Sequence, residues 1–223
     1  MKNFKNTLQA STSYLLIIAF MFTVFEPAIS KAIEDQFTVT QVVTAEISFL
    51  TPTADITMSP NLAGITGGTA NGQTTVRVLT NNATGYNMTL SASSSAGMLG
   101  NANGGTIPAY VHIGSTTPQF TFTTPANTAR FGYTVEASTT ADLAQAFKDT
   151  GSICGAGSSD ATDSCWLNAT TGQMLIMNRT TSTAASGSTS TIKFRTVINA
   201  NPVPAITQDT YVATTTLTAV VNP

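Results

Sequence analysis

The chain has 223 residues and a net charge of −2, and its 9% of charged residues is far below the roughly 25% of a typical globular domain. With nine Lys and Arg residues and no basic stripe, it lacks the electrostatic footprint of a nucleic-acid-binding protein, so no nucleic-acid partner is expected. A hydrophobic share of 42% is enough for a packed core and excludes a wholly disordered chain.

Residues 1–30 have the pattern of a secretory signal peptide. A basic start at Lys2 and Lys5 precedes an apolar run at 14–25, which is short for a membrane-spanning helix. The small residues of the predicted cleavage region are Ala28, Ser30 and Ala32. Cleavage is favoured over a retained anchor, so we predict a secreted or cell-surface protein without a stable membrane span.

The longest strand pattern covers residues 36–50, directly after the leader. From Phe37 to Phe49 most apolar residues share one parity and threonines dominate the other, which predicts a strand with a dry and a wet face. Such a strand can pair within its own chain, as neighbouring elements usually do, or it can complete the sheet of a neighbour. The sequence leaves both alternatives open.

Residues 75–93 predict a β-hairpin, because apolar and polar residues alternate on both sides of the turn-forming run 81–85. Further short strands are predicted at 55–58, 110–113, 120–123, 131–137, 172–178, 191–199 and 211–221, with glycine-rich loops at 64–72 and 97–108. This pattern indicates an all-β fold, an immunoglobulin-like or jelly-roll-type antiparallel β-sandwich that forms a single domain over residues 31–223.

One short helix is predicted at about 140–150, apart from the signal helix. A threonine can cap its start, Leu143 and Phe147 lie one turn apart on one face, and Gly151 can end it. A helix this short needs a sheet to pack on.

Cys154 and Cys165 are the only cysteines, and in an exported chain two cysteines this close predict a disulfide bond. Closing a loop of about twelve residues contributes roughly 3 kcal/mol to stability in the chain-entropy model. Trp166 follows directly and is expected to pack over the bridge or the sheet edge, with a place on a binding surface as the alternative.

Few residues could carry chemistry. His112 is the single histidine and is predicted to be a half-exposed strand residue, with no catalytic motif around it. Asp149, Asp160 and Asp163 flank the disulfide loop and could hold Ca²⁺, but their spacing is not that of an EF-hand and solvated turns are the alternative. We therefore predict a non-enzymatic protein with no cofactor and no metal site.

The stretch TVRVLTNNATGYNMTLSAS at 75–93 resembles the strand–turn–strand of secreted bacterial β-sandwich proteins, namely WxL domains and spore-coat-U or fimbrial-type surface domains. In those families a Gly-aromatic pair opens the second strand, as Gly85 and Tyr86 do here, and the ending DTYVATTTLTAVVNP is similar to their last strand. The resemblance implies a surface protein. It does not carry over peptidoglycan binding, because the Trp-x-Leu motif is absent.

Two functions are compatible with these patterns. The first is a secreted, structural cell-surface protein, a pilus-like or coat subunit, whose strand 37–49 completes a neighbour, so that its partners are further copies or cell-envelope components. The alternative is a monomeric extracellular adhesion or glycan-binding module with its site in loops 64–72 and 97–106. The aromatic residues expected on the binding surface of such a module are Tyr86, Tyr110 and Trp166.

Overall fold

A computed structural model of the chain describes residues 34–113 and 117–223. The predicted signal helix and the cleavage region at Ala28, Ser30 and Ala32 lie outside these residues. The chain divides into two compact units, Met1–Val42 and Val43–Pro223. In the first unit, the described residues 34–42 are irregular and exposed. All the regular secondary structure described below belongs to the second unit.

Ten strands and two 3-10 turns make up the regular structure of the described residues, which contain no α-helix. The strands are β1 (Ile47–Thr51), β2 (Gly68–Thr80), β3 (Tyr86–Ala92), β4 (Gly97–Gly100), β5 (Thr106–Pro108), β6 (Ala129–Ala137), β7 (Met174–Arg179), β8 (Ser188–Ile198), β9 (Tyr211–Val212) and β10 (Thr215–Val221). Their alternating threonine and apolar residues suit a pleated, half-buried surface.

The strands form three antiparallel sheets within the described part of the chain, which confirms the predicted all-β sandwich. The larger sheets have the orders β1-β2-β8-β6 and β10-β3-β7, and the small sheet has the order β5-β4-β9. The inward faces of the two larger sheets share one core, in which Val78 of β2, Met88 of β3 and Ile192 of β8 are almost fully buried. The sandwich thus places polar faces outward and one apolar layer between the sheets.

Strand β8 shows how closely the alternation follows the prediction. Ile192, Phe194 and Ile198 are buried, whereas Lys193 and Arg195 between them are half-exposed. The strand starts at Ser188, inside the stretch 180–191 that its low-complexity composition predicts to be a loop. Pairing with β2 on one side and β6 on the other provides hydrogen bonds that the composition does not reveal.

The predicted hairpin at 75–93 is wrong in its pairing although both of its strands are present. β2 pairs with β1 and β8, and β3 pairs with β10 and β7, so the two strands lie in different sheets. The turn 81–85 therefore crosses from one sheet to the other. Gly85 makes this crossing possible with a φ of +79°, since a Cβ there would collide with the carbonyl oxygen of Arg179.

The predicted helix at 140–150 is also wrong. Two 3-10 turns, Thr140–Asp142 and Gln145–Phe147, replace it, and Thr139 makes no side-chain cap. Between them Leu143 and Ala144 are extended, and the Ala144 N–H donates to the carbonyl of Ile176 in β7 at 3.0 Å. The chain thus gains a sheet-edge hydrogen bond that a helix would forfeit. Leu143 and Phe147 are still both buried, as their spacing predicts.

Several shorter predictions need correction. Of the strand at 36–50 only β1 forms, and 55–58, 110–113 and 120–123 are irregular apart from isolated bridges nearby. The glycine-rich stretches are in part strands, because β2 starts at Gly68 and β4 and β5 form a hairpin. The final strand at 211–221 is divided into β9 and β10, which belong to different sheets. Apart from the local β4–β5 hairpin, the strands that these segments form pair with strands more than 25 residues away in sequence.

Candidate interaction surfaces

The first candidate surface is the stretch 36–43, called here the N-terminal segment. Phe37, Val39, Val42 and Val43 are 84%, 83%, 75% and 79% exposed, although the strand pattern predicts that most of them face a core. The segment contains no charged residue. An uncharged, β-prone stretch with unpaired backbone groups is a ready template for pairing with another chain.

The chain joins the sandwich at the turn between β2 and β3. The Glu46 N–H donates to Oδ1 of Asn81 at 2.7 Å, and Nδ2 of Asn81 donates to the carbonyl of Thr44 at 3.0 Å. Directly after this clamp, Ile47 pairs with Thr80 at the end of β2. The asparagine of the predicted turn thus fixes where the N-terminal segment is attached.

The aromatic residues predicted for a binding surface are not exposed. Tyr86, Tyr110 and Trp166 are 0%, 2% and 1% exposed, so the prediction that they lie outside the core is wrong. Tyr86 opens β3 on its inward face. Tyr110 stacks on Phe122 with a centroid distance of 4.4 Å and donates its hydroxyl to Oε1 of Gln119 at 2.9 Å.

Trp166 is covered by an arginine instead of forming a platform. The guanidinium of Arg195 lies 4.3 Å from the Trp166 ring centroid, and the indole Nε1 donates to the carbonyl of Asp163 at 2.9 Å. Nε of Arg195 donates to Oδ1 of Asn71 at 2.8 Å, which fixes the guanidinium in place. This supports the prediction that Trp166 packs over the bridge or the sheet edge rather than on a binding surface, with a cation–π contact in addition.

The structure contains the predicted Cys154–Cys165 disulfide, with a sulfur–sulfur distance of 2.08 Å. Just before the loop that it closes, the buried carboxylate of Asp149 accepts hydrogen bonds from the N–H groups of Gly151 at 2.6 Å and of Ala161, inside the loop, at 2.8 Å. The carboxylate therefore organises the loop. Buried carboxylates need such donors, because an unpaired charge in the interior is costly.

The other two acids that could have joined a Ca²⁺ site have separate partners. Asp160 accepts from the Ala137 N–H at 2.9 Å, and burial raises the pKa of its carboxyl group. Asp163 pairs with Nζ of Lys193 at 3.0 Å. Across residues 34–113 and 117–223, no three His, Cys, Asp or Glu side chains are placed to hold a metal ion together.

Lys193 is the centre of a charge network on the outer face of the main sheet. Its ammonium group lies 2.6 Å from Oε1 of Glu136 in addition to Asp163. Burial works against the charge of Lys193, but the hydrogen bonds that its ammonium group donates to these two carboxylates outweigh burial and raise the pKa of Lys193. The network covers the outer face of the sheet. Because Glu136 and Asp163 are held in ion pairs with Lys193, these two carboxylates are poorly suited to general acid–base catalysis.

His112 lies in an irregular stretch rather than in the predicted strand. Its ring is half-buried, with its centroid 5.5 Å from that of Tyr110 in an edge-to-face contact. Burial lowers the pKa of the imidazole, because the charged form loses hydration. Among the described residues no carboxylate is hydrogen-bonded to it, so the geometry offers no Ser/His/Asp arrangement in this part of the chain.

The second candidate surface is a cavity of about 640 Å³ at one end of the sandwich, of a size that small-molecule sites typically have. It opens between the loop before β2, the β4–β5 hairpin and residues 206–211. The apolar part of its wall is formed by aliphatic and methionine side chains, among them Met58, Leu62, Met98, Ile107, Ile198 and Ile206. We name it the end cavity.

The rim of the end cavity is polar but carries little free charge. Asp209 is the single acidic residue of the lining, and its carboxylate accepts hydrogen bonds from the N–H groups of Asn103 at 2.7 Å and Ala102 at 3.1 Å. Led by the Asn103 bond, these contacts lower the pKa of Asp209. The end cavity therefore favours an uncharged, apolar occupant.

Sequence reasoning placed recognition in loops 64–72 and 97–106, and both stretches contribute to the end cavity, through Ala70 and Met98. It missed the contributions of Met58, Ile198 and Ile206, which come from elsewhere in the chain. One signal was available, since apolar residues such as Ile65 and Met98 are unusual in glycine-rich loops that face only solvent.

Within the part of the chain that the structure describes, none of the helical segments is long and apolar enough to cross a membrane. No protein-family model, no curated protein and no solved structure matches this chain. The candidate surfaces above must therefore carry the functional argument.

Proposed function

We propose that the chain is an exported, non-enzymatic structural subunit of the cell surface, of a pilus-like or coat type, and that it self-associates through its N-terminal segment. In this proposal the segment adds to a second copy of the protein as an extended strand. Main-chain hydrogen bonds contribute affinity, and the alternating side chains select the site.

The observation that carries this proposal is the exposure of the N-terminal segment. Phe37 and Val39 have the alternation of a buried strand, yet 84% and 83% of their surfaces remain exposed. Single exposed apolar residues are common on monomers. Several exposed apolar residues in one stretch with the pattern of a strand are instead typical of a surface that binds a partner. Fully burying one such side chain stabilises by roughly 1.5–3 kcal/mol.

Two further features support an extracellular structural role. The Cys154–Cys165 bond belongs to an oxidising compartment, and the chain carries the pattern of a signal peptide at residues 1–30. Its low charge and threonine-rich outer faces suit a protein that packs beside copies of itself.

The test is to express the full chain with its leader in an exporting bacterial host and to measure the mass of the recovered protein by light scattering. We expect concentration-dependent oligomers, with fibres or sheets in negative-stain microscopy. The double variant Phe37→Asp/Val39→Asp should be monomeric with an unchanged unfolding temperature, because the segment is exposed in the monomer.

The matched control is Thr38→Asp/Thr40→Asp, which adds the same charge to the other parity of the same segment. These variants should retain most of the association if one face of a strand is used. Wild-type protein that stays monomeric at tens of micromolar would contradict the proposal, as would equal effects of the two double variants.

The alternative, a monomeric glycan-binding or adhesion module, has lost its main support. Glycan sites need exposed aromatic rings, and Tyr86, Tyr110 and Trp166 are all buried. The end cavity retains Tyr211 as its single aromatic lining residue. A glycan array probed with the monomeric Phe37→Asp/Val39→Asp protein would revive this alternative if it gave reproducible binding.

A further inference from the structure

We infer that the N-terminal segment of one copy docks in the end cavity of the next copy, so that the protein assembles head to tail. This inference rests on the proposed self-association and names the site that receives the segment. The occupant is a second copy of this chain, and the apolar face of Phe37 and Val39 fills the aliphatic cavity.

The point where the segment is attached and the end cavity lie at opposite ends of the same strand, β2. The chain joins the sandwich beside Thr80, where Asn81 clamps residues 44–46. The end cavity is lined by Ala70 and by Ile198, the partner of Gly68 at the other end of β2. At roughly 3.4 Å per residue, the ten residue steps from Thr80 to Ala70 span about 34 Å.

This separation is greater than the reach of the segment along its own chain. Phe37 is seven residue steps from Thr44, and even a fully extended stretch of that length spans at most about 25 Å. Since Thr44 is held at Asn81, Phe37 cannot fill the cavity of its own sandwich. A second copy does not have this constraint, because its segment can approach the cavity from outside.

The chemistry of the two surfaces is complementary. The N-terminal segment is uncharged and offers exposed apolar side chains. The end cavity is lined by aliphatic and methionine side chains, and methionine adapts well to irregular apolar partners. Its carboxylate, Asp209, already accepts three backbone N–H groups, from Ala102, Asn103 and Thr210, so the occupant need not supply a cation.

The arrangement also predicts the form of the assembly. A contact between one end of a molecule and the opposite end of the next is heterologous, and it continues as an open chain unless the rotation between copies closes a ring. A linear polymer with one sandwich per repeat follows directly. This form is the one expected of a pilus-like subunit.

The experiment replaces Phe37 with the photo-crosslinking residue p-benzoylphenylalanine in the full chain, exported from a bacterial host. After irradiation of the oligomers, mass spectrometry should place the intermolecular links within 58–65, 98–107 or 196–211, the stretches that line the end cavity. Links on β10 or β1 in intact oligomers would overturn the docking site and leave the proposed self-association standing. Protein that forms no oligomers would overturn both.

A pair of exposed isoleucines provides the matched variants. Ile65 lies in the lining of the end cavity and is 71% exposed, whereas Ile153 in the disulfide loop is 50% exposed and outside that lining. Ile65→Asp should weaken self-association by about tenfold or more, the equivalent of one buried aliphatic side chain, and Ile153→Asp should leave it unchanged. Equal effects of the two variants, with both proteins folded, would overturn the inference.

Discussion

The N-terminal segment and the strands β2 and β3 have the same pattern of alternating apolar and polar residues, yet their environments are opposite. In β2 and β3, Val76, Val78 and Met88 are fully buried. In the segment, Phe37 and Val39 are more than four-fifths exposed. The two regions differ in their neighbouring strands, because β2 and β3 each have a hydrogen-bonded strand on both sides.

This comparison shows what an alternating pattern encodes. It determines that a stretch can form a strand and which of its faces is apolar, because successive side chains point to opposite faces. It does not determine which chain supplies the neighbouring strand. The same pattern therefore serves the core in one region and, in our proposal, an interface in the other.

The largest expected effect separates the two regions by stability. Met88→Ala should lower the free energy of unfolding by about 2–5 kcal/mol, because it leaves a cavity between the sheets. Val39→Ala should change it by no more than about 0.5 kcal/mol. Urea unfolding followed by the fluorescence of the single Trp166, at a concentration where the protein is monomeric, measures both. A comparable loss in Val39→Ala would mean that the segment is packed in the monomer.

The disulfide should stabilise only the packed region. Cys154→Ser/Cys165→Ser should cost about 3 kcal/mol, because the unfolded chain regains the freedom of the closed loop. Deleting residues 34–42 in addition should cost nothing further. Chemical denaturation of the double cysteine variant, with and without residues 34–42, measures both effects. A further loss of stability on deleting the segment would show that the segment contributes to the packed region.

The crossing from β2 to β3 depends on one glycine, which can be tested against another. Gly85→Ala should cost about 1–3 kcal/mol or more, since φ is +79° and the new methyl group would meet the Arg179 carbonyl. Gly104→Ala is the control, because φ is +69° there but no atom lies within 4 Å of the added carbon. The difference between the thermal unfolding temperatures of the two variants measures the cost of the contact between the added methyl group and the Arg179 carbonyl. Equal losses of stability in both variants would show that backbone strain alone is responsible.

The smallest effect concerns a half-buried charge in the packed region. Burial raises the pKa of Asp160, so the folded protein keeps this proton to higher pH than the unfolded chain. Stability therefore falls as pH rises from the unfolded to the folded pKa, and Asp160→Asn should remove that loss while keeping the oxygen that accepts from Ala137.

In urea titrations, Asp160→Asn should exceed wild type in stability at pH 7 and lose the advantage at pH 3. The exposed Asp55→Asn is the control and should show no such crossover. A variant of Asp160 that is less stable at pH 7 would show that the anion is needed in the loop.

Local sequence patterns were sufficient to predict the strands at 131–137 and 191–199, the buried faces of those strands, the disulfide and the all-β class. These features depend on local alternation and on a pair of cysteines close in sequence. They could be predicted because each depends on neighbours along the chain.

The pairing of the strands became evident from the folded structure alone. It placed β2 and β3 in different sheets, and it replaced the helix at 140–150 by turns that let Ala144 bond to Ile176. It buried Tyr86, Tyr110 and Trp166, and it gathered Met58, Met98 and Ile206 around one cavity. The physical reason is that pairing and burial are selected by the whole core, through contacts between residues far apart in the chain, which no local pattern encodes.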